Sequence, residues 1–285
     1  MPKHVIKSDR TTQWIVDQDG DTWIIEKQAK LDVSPGPSLL IGNGFDNNKL
    51  EIAGDIFASG PSATAILNNG DRTVMNFGAK AKISGEQGIA GGGDDTRIVN
   101  HGAIETDDVG IAQNGNFTLV NSGEITSDIA VSVAQAKLID NRNGGEINGG
   151  IWLFGDGESR IVNRGLITQG MTGDAIIDQE GKVTIRNMGR IEGPIALGGG
   201  DDVLDTLKGR VTGEIHGGNG NDTYKIAQAG ITIVEGVNEG YDTVYSSVSF
   251  TLPANVNGLI LVGRKDIDAT GGGYLRGNRG DNDLD

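Results

Sequence analysis

Three aspartates in the last third of the chain recur at equal intervals. Asp202, Asp222 and Asp242 are each 20 residues apart, and each follows a glycine-containing turn. If one interval is one coil of a repeating fold, the carboxylates lie one above another, where they repel unless a cation sits between them. Calcium is the expected cation, because it accepts many oxygen ligands in flexible geometry, backbone carbonyls included.

A nine-residue motif surrounds these aspartates. Residues 217–225 read GGNGNDTYK and match Gly-Gly-x-Gly-x-Asp-x-(large apolar)-x at every fixed position, while residues 197–205, LGGGDDVLD, miss only the first glycine. NEGYDTVYS keeps Gly240, Asp242 and Val244, whereas the last copy places Asn282 at the aspartate position. The motif resembles the calcium-binding nonapeptide of the RTX (hemolysin-type calcium-binding) family. The match covers less than a third of the chain.

The resemblance implies calcium held between consecutive turns by aspartate side chains and backbone carbonyls. The residues that it assigns to metal binding are Gly198, Gly200, Asp202, Gly217, Asn219, Gly220, Asp222, Gly240 and Asp242. It also implies type I secretion, with folding on contact with external calcium. A Gly-Asn-Asp turn is equally a common way to connect two strands, so the alternative of plain turns stays open.

The elements that must position these turns are repeats. Asn-x-Gly-x-Ile occurs five times, at intervals of 21, 22, 20 and 24 residues, starting at Asn100, Asn121, Asn143, Asn163 and Asn187. Weaker copies include the NFG at residues 76–78. Stacked asparagines donate and accept amide hydrogen bonds along a column, and the glycine permits the bend. We therefore expect an asparagine ladder with a structural role.

Each repeat predicts three short strands. A β-rich run such as FTLV precedes the Asn-x-Gly corner, the isoleucine of the motif follows it, and a third apolar point comes at Ile111, Val131, Ile151, Ile176 or Ile195. Apolar spacing near 2 excludes helix. The sequence predicts an all-β chain: a parallel β-helix of about 20–24 residues per coil that continues into an RTX-like β-roll.

Composition shifts divide the chain into three predicted parts. Residues 1–36 form an N-terminal cap or first coil, in which Trp14 and Trp23 cover the open end of the core. Residues 37–196 form metal-poor parallel β-helix coils, and residues 197–285 form the RTX-like calcium-binding repeats.

Charge and composition exclude several classes of function. The 285 residues carry a net charge of −15, which opposes nucleic-acid binding. There is no cysteine for a disulfide, thiolate site or nucleophile, and no apolar run long enough for a membrane span. The N-terminus lacks the apolar core of a cleavable secretion signal.

Catalytic residues are not indicated. His4, His101 and His216 occupy unrelated positions, and the GDGES around Ser159 lacks the Gly-x-Ser-x-Gly elbow of a serine nucleophile. Arginines 160, 164, 186 and 190 recur beside acidic residues, as they do in carbohydrate-active β-helices. Fold analogy does not by itself assign that chemistry.

Two functions follow as expectations. The first is a non-enzymatic, secreted, calcium-dependent module with a structural, adhesive or surface-layer role, which contacts a cell surface or polysaccharide, or assembles with itself into filaments or sheets. The alternative is a polysaccharide lyase or C5-epimerase built on the β-helix.

Overall fold

Parallel strands stack along the whole described chain. The structure is a computed structural model that describes residues 2–34 and 36–285. Met1 and Pro35, both within the predicted N-terminal segment 1–36, lie outside the described residues. Over the described ranges no residue is helical, and the strands form a β-solenoid of about 13 turns. The predicted all-β parallel solenoid is confirmed.

The strands are short except where one bends around a corner. In the first part of the chain they are β1 (Lys3–Ile6), β2 (Trp14–Val16), β3 (Thr22–Ile25), β4 (Lys30–Val33), β5 (Leu39–Ile41), β6 (Lys49–Ile52), β7 (Asp55–Ala58), β8 (Thr64–Asn68), β9 (Val74–Phe77), β10 (Lys82–Gly91) and β11 (Thr96–Asn100). The middle part contains β12 (Ala103–Asn121), β13 (Glu124–Thr126), β14 (Ile129–Asn141), β15 (Glu146–Asn148), β16 (Ile151–Leu153), β17 (Ser159–Asn163), β18 (Leu166–Thr168), β19 (Ile176–Asp178), β20 (Val183–Asn187), β21 (Arg190–Glu192) and β22 (Ile195–Ala196). The last part contains β23 (Val203–Thr206), β24 (Arg210–Val211), β25 (Ile215–His216), β26 (Thr223–Ile226), β27 (Ile233–Val234), β28 (Thr243–Ser246), β29 (Phe250–Thr251), β30 (Gly258–Leu261), β31 (Ala269–Thr270) and β32 (Tyr274–Arg276).

Each full coil crosses three faces in a fixed order. The first face runs through β17, β20, β23, β26, β28 and β30, the second through β15, β18, β21 and β24, and the third through β16, β19, β22, β25 and β27. β10, β12 and β14 bend around corners and so belong to more than one face. The strand pairings of all three faces continue from the coil before residue 197 into the coil after it. The domain boundary predicted at residue 197 is therefore a change in composition and not a break in the fold.

The core is built from inward side chains that alternate with outward ones. On the third face Ile111, Val131, Ile151, Ile176 and Ile195 pair in register, as predicted, and all five are buried. Burying one such side chain contributes about 1.5–3 kcal/mol relative to leaving it exposed. Because a coil buries these residues only against its neighbours, stability comes from stacking.

Two tryptophans of the N-terminal coils, which were predicted to cover the open end of the core, pack against each other. Trp14 and Trp23 are buried, and their rings meet edge to face with centroids 5.2 Å apart. His4 stacks on Trp23 at 3.9 Å, and its Nε2 lies 2.9 Å from Oδ2 of Asp21. The aromatic rings therefore cover apolar side chains that would otherwise face water.

The asparagine ladder exists at the corner between the first and second faces. The ladder consists of Asn100, Asn121, Asn141, Asn163 and Asn187. Nδ2 of each of the first four donates to Oδ1 of the next at 2.9 Å, and Nδ2 of Asn187 donates to Oγ1 of Thr206 at 3.3 Å. All five are buried, and each Nδ2 also donates to a backbone carbonyl. The predicted structural role of the column is confirmed.

Two predicted members of the ladder were wrong. Asn141 takes the position assigned to Asn143, because this corner is longer and Gly144 bends it with φ 78°, which leaves Asn143 exposed. In the NFG segment it is Phe77 that pairs with Asn100, while Asn76 donates to Glu51. One residue of slip moves a side chain to the opposite face of a strand.

Coil length decreases along the chain. Hydrogen-bonded neighbours in adjacent coils are 27 residues apart at Asp21 and Asn48 but 15 apart at Asp242 and Asn257. The second-face ladder ends at β24 and the third-face ladder at β27, while β29 pairs with β31 in a separate sheet. The coils beyond residue 243 are therefore shorter and simpler than those before them. Among residues 2–34 and 36–285 there is no helix with the length and apolarity that crossing a bilayer requires.

Candidate metal centre

A column of aspartates begins the first face in the C-terminal coils. Thr223 pairs with Val203 and with Thr243, so the preceding residues, Asp202, Asp222 and Asp242, stack as the 20-residue spacing predicted. Their position was not predicted: each residue is only 1% exposed, so the carboxylates lie inside the solenoid and not along an open edge. Burial makes their charge costly unless something compensates it.

One oxygen of each carboxylate accepts a backbone hydrogen bond. Oδ1 of Asp202 accepts from the amide of Val183 at 2.6 Å, Oδ1 of Asp222 from Asp202 at 2.8 Å, and Oδ1 of Asp242 from Asp222 at 2.9 Å. Asn257 ends the column, and its Oδ1 accepts from the amide of Asp242 at 2.7 Å. The column thus satisfies amides that would otherwise be buried without a partner.

Neutral side chains form the same hydrogen bond elsewhere in the solenoid. Oδ1 of Asn48 accepts from the amide of Asp21 at 3.1 Å, and Oγ of Ser159 accepts from the amide of Ala136 at 3.0 Å. With Asn257, three uncharged residues therefore occupy this role. Hydrogen bonding to the preceding coil does not explain why the residues at 202, 222 and 242 are charged.

Three carboxylates converge between two of these coils. Asp222, Asp242 and Glu235 each offer an oxygen, and the three oxygens lie within 4.8 Å of one another. Glu235 comes from the end of the third face, is 6% exposed, and its Oε2 has no hydrogen-bond partner among the described residues. Its Oε1 accepts from the hydroxyl of Tyr224, which lies 3.4 Å from Oδ2 of Asp222. We call Asp222, Glu235 and Asp242 the carboxylate cluster.

Burial dominates the electrostatics of this region. It raises the pKa of Glu235 to about 7 and that of Asp222 to about 6, and it also raises the pKa of Asp242. The neighbouring carboxylates add to the rise, since a second negative charge nearby disfavours ionisation. Burial also raises the pKa of Tyr224, which keeps its hydroxyl protonated and donating to Glu235. A cation at the cluster would remove this penalty.

Glycines leave the space that the cluster fills. A Cβ on Gly217 would lie 2.0 Å from the Tyr224 hydroxyl and 2.2 Å from Oε1 of Glu235, so only glycine admits both. Gly220 has φ 134°, and a Cβ there would lie 1.9 Å from the carbonyl oxygen of Gly200. The motif glycines thus permit close approach of successive turns.

The other residues predicted to bind metal lie outside the carboxylate cluster. Gly198, Gly200 and Gly240 have φ values of 81°, 96° and 155° and form the turns. Asn219 is exposed, and its backbone amide donates to the carbonyl of Gly198 at 2.7 Å. Asp202 lies one coil below the cluster, where burial raises its pKa to about 8 and its Oδ2 has no partner in the described chain.

Sequence reasoning missed Glu235 and the hydroxyl of Tyr224. The signal for Glu235 was available, because Ile231 and Ile233 are inward and the period of 2 makes the next inward residue Glu235. Leu197 and Gly217 precede it in the same column of the third face. Glu235 could have been identified from the sequence because it is an acidic residue at the position that Leu197 occupies in another coil.

The residues considered for catalysis stay apart. His4 lies at the N-terminal end, His101 is exposed with Nδ1 2.6 Å from Oγ of Ser122, and His216 is exposed near Glu214. Oγ of Ser159 accepts a hydrogen bond from the amide of Ala136. His101 and Ser122 are the pair within hydrogen-bond distance here, and no further side chain of the described residues is hydrogen-bonded to this imidazole.

Comparison of the chain with protein-family models, with curated proteins and with solved structures found no match. The RTX resemblance therefore stays a prediction from the motif.

Proposed function

We propose that the chain is a non-enzymatic, calcium-dependent structural module that works outside the cell or on its surface. The observation that carries the proposal is the carboxylate cluster: three acidic side chains inside the solenoid, within 4.8 Å of one another, one with an unpartnered oxygen. Three buried carboxylates at this separation can all be ionised only when a partner of opposite charge is present.

The metal class follows from the donor atoms. The cluster offers carboxylate oxygens and no nitrogen or sulfur, which favours hard cations. Calcium suits it better than magnesium, because calcium tolerates irregular geometry and accepts backbone carbonyls of the glycine turns as further ligands. The residues that would hold it are Asp222, Glu235 and Asp242, and the unpartnered Oε2 of Glu235 fits such a group.

Calcium would act as a structural ligand. It would compensate the charges that burial makes unfavourable and so link three consecutive segments of the C-terminal coils. Extracellular calcium-binding modules have dissociation constants of roughly 10⁻⁴–10⁻³ M, a range that external calcium saturates and cytosolic calcium does not. Location outside the cell and secretion through the type I route rest on this reasoning and on the motif.

The extended fold supports a scaffold or adhesive role. A solenoid of about 13 turns presents long, regular faces. A spacer or surface-layer element requires such length and rigidity but no catalytic centre.

The test compares the wild type with Asp222→Asn and Asp201→Asn. Calorimetry measures calcium binding to each protein, and thermal unfolding in calcium or in chelator measures its stability. Asp222→Asn keeps an oxygen for the amide of Asp202 but removes the charge. Asp201 is the matched control, because it is exposed and its Oδ1 accepts from the amide of Asn221 at 2.7 Å.

We expect wild type and Asp201→Asn to bind calcium and to melt at higher temperature in its presence. Asp222→Asn should melt above wild type in chelator, since one buried charge is gone, and should gain little from calcium. If calcium fails to bind the wild type, or stabilises Asp222→Asn as much as it stabilises wild type, the proposal is wrong.

A further inference from the structure

A groove of about 690 Å³ crosses the first face between the coils of β11 and β26. Five cationic side chains line it: Lys137, Arg160, Lys182, Arg186 and Lys225. The groove is open to solvent and lies outside the carboxylate cluster. Its positive lining stands out in a chain with a net charge of −15.

Four of these cations have no partner in the described part of the chain. Arg160, Lys182, Arg186 and Lys225 form neither a salt bridge nor a side-chain hydrogen bond with residues 2–34 or 36–285. Lys137 has its Nζ 4.0 Å from Oδ1 of Asp95, and Asp205 is the register neighbour of Arg186 and Lys225 without forming a salt bridge to either. Their donors are therefore available to an external anion.

Two arginines just outside the groove, unlike those that line it, form salt bridges. Arg164 pairs with Asp140, and Arg190 pairs with Glu192 at 2.6 Å. The four arginines that the sequence grouped along one edge thus fall into two kinds. Arg160 and Arg186 line the groove unpaired, whereas Arg164 and Arg190 are engaged by carboxylates of the protein.

The register spreads the groove cations along the solenoid axis. Arg160 pairs with Thr184, which lies two residues before Arg186. Arg186 pairs with Asp205, and Asp205 pairs with Lys225, so these three residues form one outward column. Coils are spaced by about 4.8 Å, close to the length of one sugar ring. Because Asp205 lies between Arg186 and Lys225, these two cations are about two coil spacings apart. This extended arrangement fits a linear ligand with separated negative charges better than it fits one compact anion.

The rest of the lining is suited to hydroxyl groups. Asn116, Gln135 and Thr184 offer neutral donors and acceptors, and Glu158 and Asp205 offer acceptors. This mixture is appropriate for a ligand that is part charged and part hydroxylated. Nucleic acid fits less well, because the chain as a whole carries a net charge of −15, which opposes binding of a longer polyphosphate.

We propose that this groove binds a linear uronate polysaccharide, in which each sugar carries one carboxylate. Arg160 and Arg186 would engage carboxylates through paired N–H donors, while Lys182 and Lys225 would act as point charges. The inference goes beyond the calcium-dependent function and does not depend on it, since most of the lining lies in coils before residue 197.

The experiment is calorimetric titration with oligomers of polygalacturonate and of polymannuronate, in chelator and again with calcium. The matched ligand control is fully methyl-esterified polygalacturonate, which has the same backbone without the charge. Variants Arg160→Gln and Arg186→Gln are compared with Arg190→Gln, a paired arginine four residues from Arg186. Thermal melts establish that each variant is folded.

We expect one of the two uronate oligomers to bind and the methyl ester to bind at least tenfold more weakly. Arg160→Gln and Arg186→Gln should each weaken binding about tenfold, the equivalent of 1.4 kcal/mol, while Arg190→Gln stays within about twofold. Binding of neither oligomer by the folded wild type, equal loss in Arg190→Gln, or equal affinity for duplex DNA would each overturn the proposal. Binding in chelator with no calcium uptake would support the groove while refuting the metal centre, so the two outcomes are separable.

Discussion

Two polar columns run through the same solenoid, and they stabilise it differently. The asparagine ladder, from Asn100 to Asn187, links coils with side chains that both donate and accept. The aspartate column, from Asp202 to Asp242, links coils with side chains that only accept. An amide column is complete in itself, whereas a carboxylate column accumulates charge at about 4.8 Å intervals.

Because of this difference, the stability of the coils with the asparagine ladder and that of the coils with the aspartate column should respond differently to solution conditions. Coils with the amide ladder need only their apolar stacking and their own hydrogen bonds. Coils with the aspartate column, and the carboxylate cluster within it, carry a penalty that either protonation or a cation can remove. The coils before Asp178, a buried carboxyl whose pKa burial raises to about 7, should therefore be independent of solution conditions that control the C-terminal ones.

The largest expected effect is a regional response to calcium. Hydrogen exchange in chelator and then in excess calcium should show protection rising beyond residue 197 and little change before it. At a hundredfold excess over the dissociation constant, binding to the folded state alone contributes about 2.7 kcal/mol, or roughly hundredfold slower exchange. Equal protection in both conditions would remove the distinction between the two regions.

A second effect concerns pH in the absence of calcium. Burial raises the pKa of Asp202 to about 8, of Glu235 to about 7 and of Asp222 to about 6, from ordinary values near 4. A carboxyl with a raised pKa in the folded state stabilises the fold fully below its unfolded pKa and loses that contribution as pH rises through the folded value.

In chelator the C-terminal coils should therefore be more stable at pH 5 than at pH 8, by a few kcal/mol at about 1.4 kcal/mol for each unit of pKa. Calcium should flatten or reverse the trend, because it binds the deprotonated carboxylates. Denaturant unfolding followed by exchange of amides beyond residue 197 measures it. Stability that rises with pH in chelator would contradict the burial argument.

The smallest effect distinguishes two asparagines at one corner. Asn141→Ala should cost about 1–3 kcal/mol, because it leaves buried donors and acceptors of Asn121 and Asn163 without a partner. Asn143→Ala should stay within about 0.5 kcal/mol, since Asn143 is exposed. Thermal melts of the two variants decide the register, and a larger loss at Asn143 would restore the original assignment.

Much of the fold could be predicted from local pattern alone. The period of 2 in runs such as FTLV fixed which side chains point inward, and repetition of Asn-x-Gly-x-Ile fixed the coil and its parallel stacking. The equal intervals between Asp202, Asp222 and Asp242 likewise predicted their column, which the register confirms. These features depend only on neighbours a few residues away or one repeat away.

Other features depended on contacts that no repeat specifies. Asn141, not Asn143, completes the ladder because an inserted turn lengthens one corner, and such a turn shifts register without changing composition. The guanidinium group of Arg164 differs from the free ones of Arg160 and Arg186 because the adjacent coil places Asp140 beside it, whereas Arg190 pairs with Glu192 of its own strand.

The carboxylate cluster shows the same division. The sequence by itself determined that Asp222 and Asp242 stack, and that Glu235 occupies an inward position of its strand. Only the tertiary structure brought the end of the third face against the start of the first, so that Glu235 meets both aspartates and the Tyr224 hydroxyl. The physical reason is that alternation along a strand is a local property, whereas the distance across a corner depends on coil length and on the glycines that let adjacent turns approach.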